Sequence, residues 1–333
     1  MSLKILHVIN GWALGGIAQA TLDLIKNTPT LSHYSIGYCW TNTPVKKEFE
    51  EAGCHSIICD DKYSNIKDIL ISYGINIVHK QTGGGDFPEW VKICKELKIP
   101  IVESLHCPRT SGIPKELIAA TVITTDYVGD KNTDRPLLKI PYPCTLPLGS
   151  PRNLPRNRRL VIGRMARYES DKIPMVIIKV AYILWEFKND IEFLIMGYPF
   201  NQNLYKEISD ESEEGYIKVE GLQSDKLTAI NRLDVCLDPV WETSFDMVMT
   251  EAMSQGIPVV TWDNSAAPEV CGTGGIVSKA TVFDLAQAVR SLIGNEDYSF
   301  YSRMAINKIR NNHDPVKYGQ LFTNLYRRLL NET

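Results

Sequence analysis

The sequence predicts an α/β protein of two parallel-sheet domains, joined by a linker and facing a cleft. Three observations predict it. Short β-rich runs alternate with helical patterns through the first 125 residues, the pattern of a parallel sheet covered on both faces. A proline- and arginine-rich stretch at 140–159 suits neither helix nor central strand. The same alternation then restarts at Leu160. With 333 residues, 44% hydrophobic and 23% charged, the chain has the length and composition of two ordinary globular domains. The boundaries follow: a first domain over 1–145, a linker over 146–158, a second domain over 159–312, and a C-terminal helix over 313–333 that packs back toward the first.

The first element is an apolar strand at 4–10, followed by the loop GWALGG at 11–16 and helical spacing at 17–27. No Gly-Lys-Ser/Thr closes this loop, and Gly11, Gly15 and Gly16 lack the dinucleotide-binding spacing. Two adjacent glycines before a helix allow close approach of a ligand to the backbone; a plain tight turn explains them equally well. Further strands are expected at 34–40, 56–59, 76–80, 100–106 and 121–125, with helices at 45–52, 66–73 and 88–97. Ligands of such sheets bind beyond the carboxyl ends of the strands. That rule singles out 10–16, the TGGGD run at 82–86, and His106. The linker's arginines face phosphate or an acidic membrane surface, or are simply solvated.

In the second domain, strands are expected at 160–163, 191–196, 216–219, 235–237, 258–262 and 275–277. Helices are expected at 174–187, 225–232 and 282–293, and two more between 299 and 331. The informative stretch is WETSFDMVMTEAMSQGIPVV at 241–260. Gly256 ends its helix, because glycine takes the left-handed cap cheaply, and the run from Pro258 to Trp262 begins a strand. The helix therefore opens near Asp246 or Met247. Its first N–H groups have no partner within the helix and carry partial positive charge, which suits a phosphate. Glu251, about one turn in, is placed to accept two hydroxyl protons from a ribose. The plainer reading is an amphipathic helix with a solvated Glu.

Several classes are excluded. A net charge of −3 argues against general nucleic-acid binding. No apolar run reaches the roughly 18 residues that span a bilayer, and the start lacks a secretory pattern. The eight cysteines are scattered without CxxC spacing, as expected of reduced thiols in a cytoplasmic protein. No His or Cys cluster has metal-ligand spacing, so neither metal nor cofactor is expected. His7 reads as a core residue, His79 as a strand-end residue beside TGGGD, and His33, His55 and His313 as surface residues. Asp60 and Asp61 read as a helix-entry cap.

Just beyond the first strand of the second domain stands GRMARYESDK, with Arg164, Arg167 and Lys172. Paired cations at a strand exit neutralise a diphosphate and favour its departure as a leaving group. These pieces, with Met196-Gly197, Gly221, SFDMVMTEAMSQGIPVV and Pro268-Glu269-Val270, resemble the retaining family-4 glycosyltransferases of the GT-B fold. GWALGG and VESLH in the first half match more weakly, and the resemblance in order and spacing covers nearly the whole chain.

The resemblance implies two Rossmann-like domains and a metal-independent transfer of sugar from a UDP- or GDP-linked donor to a glycan, lipid-linked or small-molecule acceptor. It implies that Arg164 and Lys172 grip the donor diphosphate, that Glu251 holds the ribose hydroxyls, and that Thr243, Ser244, Phe245, Asp246 and Met247 line the phosphate or sugar. Gly15 and Gly16 resemble the loop touching diphosphate and acceptor, Gly197 stands near the base, and His106 resembles the strand-end His at the donor sugar. Retention would come from attack on one face, the donor's phosphate oxygen helping to deprotonate the acceptor.

The family's acidic motif places a first Glu eight positions before the second; that position is Thr243, with Glu242 adjacent. Two other readings stay open. One is a sugar-nucleotide epimerase or hydrolase on the same fold, for which Glu103, Asp86 and Glu242 are the cleft carboxylates. The other is a nucleotide-sugar-binding protein without catalysis, motivated by Thr243. A role in polysaccharide biosynthesis, with peripheral attachment to the inner membrane face through the basic linker and C-terminal helices, completes the expectations.

Overall fold

The computed structural model describes residues 2–13, 15–59, 63–81, 88–172, 175–212, 215–294 and 297–331. The chain divides into two compact units, Met1–Pro143 with Asp314–Thr333, and Cys144–His313.

The first unit runs β1 (Lys4–Val8), α1 (Gly16–Lys26), β2 (Ser32–Gly37), α2 (Pro44–Glu51), β3 (His55–Ile58), α3 (Ile66–Tyr73), β4 (Ile77–Lys80), α4 (Trp90–Glu96), β5 (Ile101–Leu105), β6 (Ala120–Ile123), α5 (Asp126–Gly129) and β7 (Leu137–Lys139). Its seven strands lie in the order β3-β2-β1-β4-β5-β6-β7, every ladder parallel. The chain moves outward through β2 and β3, then returns to place β4 against the other side of β1. The switch point of this sheet therefore lies between the ends of β1 and β4, where ligands of such sheets bind.

Apolar runs such as KILHV form strands here because both sheet faces are covered. Leu6 and Val8 pack with α3 and α4 side chains, including Ile66, Leu70 and Trp90, while Ile5 packs on the opposite face. The strand expected at 34–40 stops at Gly37, and Cys39 instead forms an isolated bridge with Gly11. A Cβ on Gly11 would lie 1.9 Å from Cys39 O, so this crossing requires glycine.

The second unit runs β8 (Leu160–Met165), α6 (Val176–Ile183), β9 (Ile191–Met196), α7 (Gln202–Asp210), β10 (Ile217–Glu220), α8 (Lys226–Asn231), β11 (Val235–Asp238), α9 (Met247–Ser254), β12 (Val259–Trp262), α10 (Ala267–Cys271), β13 (Gly275–Ser278), α11 (Val282–Gly294) and α12 (Tyr298–Asn312). Its six parallel strands take the order β10-β9-β8-β11-β12-β13, with the switch point between β8 and β11. Strand and helix faces meet in one core that includes Ile162, Ile178, Phe193, Ile195, Leu237 and Val289. The last helix, α13 (Pro315–Asn331), belongs to the first unit. Its Tyr318, Phe322, Leu325 and Tyr326 pack with Ile5, Ile77 and Val102.

The proline-rich stretch at 140–159 crosses the boundary: 140–143 belong to the first unit and 144–159 to the second, which starts at Cys144. Arg152 Nε donates to Gln255 O at 2.7 Å and its Nη1 to Leu233 O at 3.0 Å. Arg158 holds Asp234 through two bonds of 2.6 and 2.8 Å. These two arginines satisfy carbonyls and a buried carboxylate of their own unit. The helix expected over 174–187 is α6 followed by a separate 3-10 turn at Trp185–Phe187, and Pro174 lies outside the described residues. The short elements β7, α5, α7 and α10 have no counterpart among the elements expected from the sequence.

His33 and His313, expected at the surface, are buried at 5% and 4% exposure. His33 lies on the interior strand β2, with Nδ1 3.0 Å from His7 Nε2 and Nε2 2.9 Å from Thr28 Oγ1. The eight cysteines are all free thiols. Among the described residues, no helix is long and apolar enough to cross a membrane.

Candidate active site

In the second unit, the chemistry gathers at the β8–β11 switch point. Arg164 is the next-to-last residue of β8 and Asp238 ends β11. Asp246 is the N-cap of α9, its Oδ1 accepting from Val248 N. The Arg164 guanidinium lies between the two carboxylates at 1% exposure. Its Nη1 donates to Asp238 Oδ1, its Nη2 to Asp246 Oδ2 at 2.6 Å, and its Nε to Lys172 O at 2.9 Å. Asp238 Oδ2 is buried without a hydrogen-bond partner.

Burial pushes Asp238 up to about 7, against the pull of Arg164 and with Asp246 adding to the rise. Burial acts on Asp246 in the same sense, but the Arg164 charge and hydrogen bond, with Lys172, outweigh it and hold the carboxyl below its ordinary range. Arg164 itself is raised: burial opposes its charge, and the two aspartates overcome that. The guanidinium expected to grip a donor is thus enclosed by protein, and it fixes the carbonyl of Lys172 and the cap of α9.

Lys172 remains the more accessible cation, its side chain 32% exposed and 3.4 Å from Asp171. Its charge bears on both Asp238 and Asp246, and its carbonyl is held by the guanidinium that also holds Asp246, the N-cap of α9. The loop into α9 is held at Thr243, whose N–H donates to Ser265 Oγ at 3.0 Å and whose carbonyl accepts from Ala266 N at 3.1 Å. Thr243 is buried and Glu242 exposed. Ser244 and Met247 are half-buried on the same loop and helix start, and the Phe245 ring lies against His313, with centroids 5.6 Å apart.

Glu251 is in the second turn of α9 and is buried at 7% exposure. Its Oε1 accepts from Lys226 Nζ at 2.8 Å. Burial raises the carboxyl above its usual range in spite of Lys226. Sequence reasoning missed Lys226, which opens α8; its partner is 25 residues away and no local spacing links them. A cation beside this carboxylate fixes one oxygen and leaves the other to meet a hydroxyl.

Gly197 follows β9 with φ +157°, and a Cβ there would lie 1.6 Å from Ala166 O. The backbone of 197 therefore presses directly on the loop between Arg164 and Lys172. Gly197→Ala is expected to cost about 1–3 kcal/mol, read as a fall in Tm of the purified protein.

The first unit places His106 just after β5. Its Nε2 is 3.0 Å from Gln81 Oε1, and its Nδ1 faces the Tyr142 hydroxyl. Burial, with the charge of Lys80, pushes His106 down to about 3, so the ring is neutral at ordinary pH. Gly15 is the N-cap of α1 in extended backbone, and Gly16 opens the helix with clear space where a Cβ would stand. His79, at the end of β4, is fully buried between Ser104 and Tyr326.

Of the carboxylates considered for an epimerase or hydrolase, Glu103 is fully buried and paired with Lys80 at 2.6 Å. That environment makes it a structural ion pair, not a proton-transfer group open to substrate. Asp86, the TGGGD run at 82–86, and Asp60 with Asp61 lie outside the described residues. Among the described residues, no group of three or more His, Cys, Asp or Glu is arranged to hold a metal ion.

Comparison with known proteins places this geometry. Residues 156–295 match the family described as glycosyl transferases group 1. No curated protein matches the chain. Among solved structures, a glycosyltransferase from Rickettsia africae ESF-5 is similar over 100% of both chains, at 16% identity and a TM-score of 0.79. Anabaena Alr3699/HepE, in complex with UDP-glucose, is similar over 97% of this chain and 98% of its own, at 15% identity and 0.75. The pneumococcal O-GlcNAc transferase GtfA, in complex with UDP and GlcNAc, is similar over 99% of each chain, at 10% identity and 0.78. At such identities the likeness establishes the fold, which is of the GT-B type, two Rossmann-like α/β units.

Proposed function

We propose, from the premise that the second unit is a glycosyltransferase domain of group 1, that the chain moves a sugar from a nucleoside-diphosphate sugar to a glycan or lipid-linked acceptor. The observation that carries this reading is the α9 end of the second unit. Lys172 is tied through Arg164 to the N-cap of that helix, and the Glu251–Lys226 pair stands one turn further along. A diphosphate leaving group is stabilised by a cation and by helix N–H dipoles aimed at its developing charge. A ribose diol is matched by a fixed carboxylate.

In this reading Lys172 and the backbone from Ser244 to Met247 hold the diphosphate, Glu251 accepts from the ribose, and Gly197 admits the base. From the first unit, neutral His106 is assigned to the donor sugar, and the Gly15–Gly16 backbone to diphosphate and acceptor. Transfer proceeds with retention: the acceptor hydroxyl attacks the anomeric carbon from the face that the diphosphate leaves. A phosphate oxygen takes the proton, and the bond to the nucleotide breaks without a metal. The donor pool assigns the reaction to the cytoplasm, with polysaccharide or lipid-linked glycans on the inner membrane face as acceptors. Uridine is the first base to test, since HepE and GtfA were both solved with UDP.

The test is a thermal-shift series with UDP, GDP, ADP and CMP, followed by turnover of sugars on the base that binds. Saturation at about 100 times Kd adds roughly 2.7 kcal/mol. UDP is expected to raise the Tm of wild type and not of Glu251→Ala, and NMR of the product is expected to show the donor's anomeric configuration. No shift with any diphosphate refutes the reading.

A second reading is favoured by one observation. Asp246 puts a carboxylate at the N-terminus of α9 and uses the Val248 N–H, while Thr243 is buried with its backbone pinned. A nucleotide-sugar-binding protein without transfer would show the shift with UDP and no turnover with any UDP-sugar and acceptor pair.

A further inference from the structure

Beside the switch point of the first unit, the half-buried His106 is hydrogen-bonded to a chain of buried side chains that reaches α13. We propose that Gln81 is a positioning residue for His106, its side-chain amide fixing the imidazole as the tautomer protonated on Nε2. The importance of His106 rests on the function proposed above; the tautomer does not.

β4 and β5 are neighbours in parallel register, His79 opposite Val102 and Lys80 opposite Glu103. Gln81 therefore leaves β4 beside the residues that lead to His106, and its N–H is tied to Val8 O at the end of β1. Its side chain is buried at 3% exposure. Oε1 lies 3.0 Å from His106 Nε2, and Nε2 lies 3.1 Å from His79 Nδ1.

An amide presents an acceptor on one side and a donor on the other. With the oxygen toward His106, that ring must donate from Nε2. With the NH2 toward His79, that ring must accept at Nδ1. His79 then carries its proton on Nε2 and donates to Ser104 Oγ at 2.7 Å. The Tyr326 hydroxyl, 2.7 Å from His79 Nδ1, donates to the same nitrogen, whose one lone pair the two donors share. Nδ1 of His106 is left to accept from Tyr142, so each nitrogen of both rings has one consistent role.

Burial holds both rings neutral, helped at His106 by the charge of Lys80, so hydrogen bonding decides which nitrogen carries the proton. With that N–H held by Gln81 and Nδ1 by Tyr142, a substrate oxygen near Nε2 of His106 takes a shared, three-centre hydrogen bond from it. The opposite tautomer would offer a lone pair there. A partner that fixes a histidine's tautomer and ring plane acts through that histidine and does not itself touch substrate.

The test uses the full chain labelled with 15N-histidine, with His106→Gln identifying the His106 signals. In wild type, Nε2 is expected to be the protonated nitrogen and Nδ1 the bare one between pH 6 and 8. Gln81→Leu is expected to mix or invert the pattern. UDP-sugar turnover falls about tenfold while the donor KM stays within about threefold, a loss confined to the transition state. Gln81→Glu keeps an oxygen toward His106, so Nε2 of that ring stays protonated and most of the turnover returns, while the N–H that meets His79 Nδ1 is lost and the His79 signals change.

A wild-type ring protonated on Nδ1 overturns the proposal. So do unchanged signals in Gln81→Leu, or a changed tautomer with unchanged turnover. If wild type turns over no donor, the function proposed above fails, and the ring signals of wild type, Gln81→Leu and Gln81→Glu decide this proposal alone.

Discussion

Arg164→Met lowers the stability of the second unit by about 3–5 kcal/mol, the usual loss when one partner of a buried charge cluster is removed. The guanidinium is 1% exposed and is the cation between Asp238 and Asp246. Methionine fills much of its volume but supplies none of its three hydrogen bonds, so two buried carboxylates are left facing each other. For a unit of this size the fall in Tm is roughly 6–20 °C, read by calorimetry without any ligand.

The loss depends on pH. Asp238 has a folded pKa of about 7, above its ordinary 3.8. It binds a proton more tightly when folded, so its contribution is greatest below the unfolded value and is lost as pH rises through about 7. Removing Arg164 takes away the largest opposing pull and widens that window. Arg164→Met is therefore expected to be closer to wild type at pH 5 than at pH 8, and adding Asp238→Asn is expected to recover part of the stability at pH 8. A Tm within 2 °C of wild type at pH 8 would show that Arg164 is not the centre of a buried cluster.

Lys172→Ala is expected to do the reverse. Its ammonium is partly exposed and, among the described residues, its ion pair is with the exposed carboxylate of Asp171 at 3.4 Å, while its carbonyl, the group Arg164 holds, survives substitution. Stability should change by no more than about 0.5 kcal/mol. Turnover should fall by about 100- to 1,000-fold, the range for losing one group that stabilises developing charge in a dry site. Single-turnover kinetics with saturating UDP-sugar measure the loss. A fall below threefold would remove Lys172 from the proposed leaving-group site. The two cations of one motif are thus expected to separate, Arg164 into stability and Lys172 into chemistry.

Much of this molecule was legible locally. Strand and helix alternation follows from apolar periodicity in windows of five to ten residues, and both sheets formed where that pattern stood. Gly256 ends α9 with φ +69°, and Glu251 lies in the helix's second turn, because cap chemistry and helical spacing are written in adjacent residues. Short edge or surface elements such as β7 and α10 escaped, since three to five residues carry too little period to detect.

What only the tertiary structure decided is which charged and polar groups lose their water, and to whom. Arg164 meets Asp238 from 74 positions away, Glu251 meets Lys226 from 25, and His79 meets Tyr326 from 247. His33 reads as polar surface until β2 becomes an interior strand. The order of strands in a sheet sets these meetings. Burial then turns each from a solvated charge into a fixed partner, because a group removed from water must find its hydrogen bonds inside the protein.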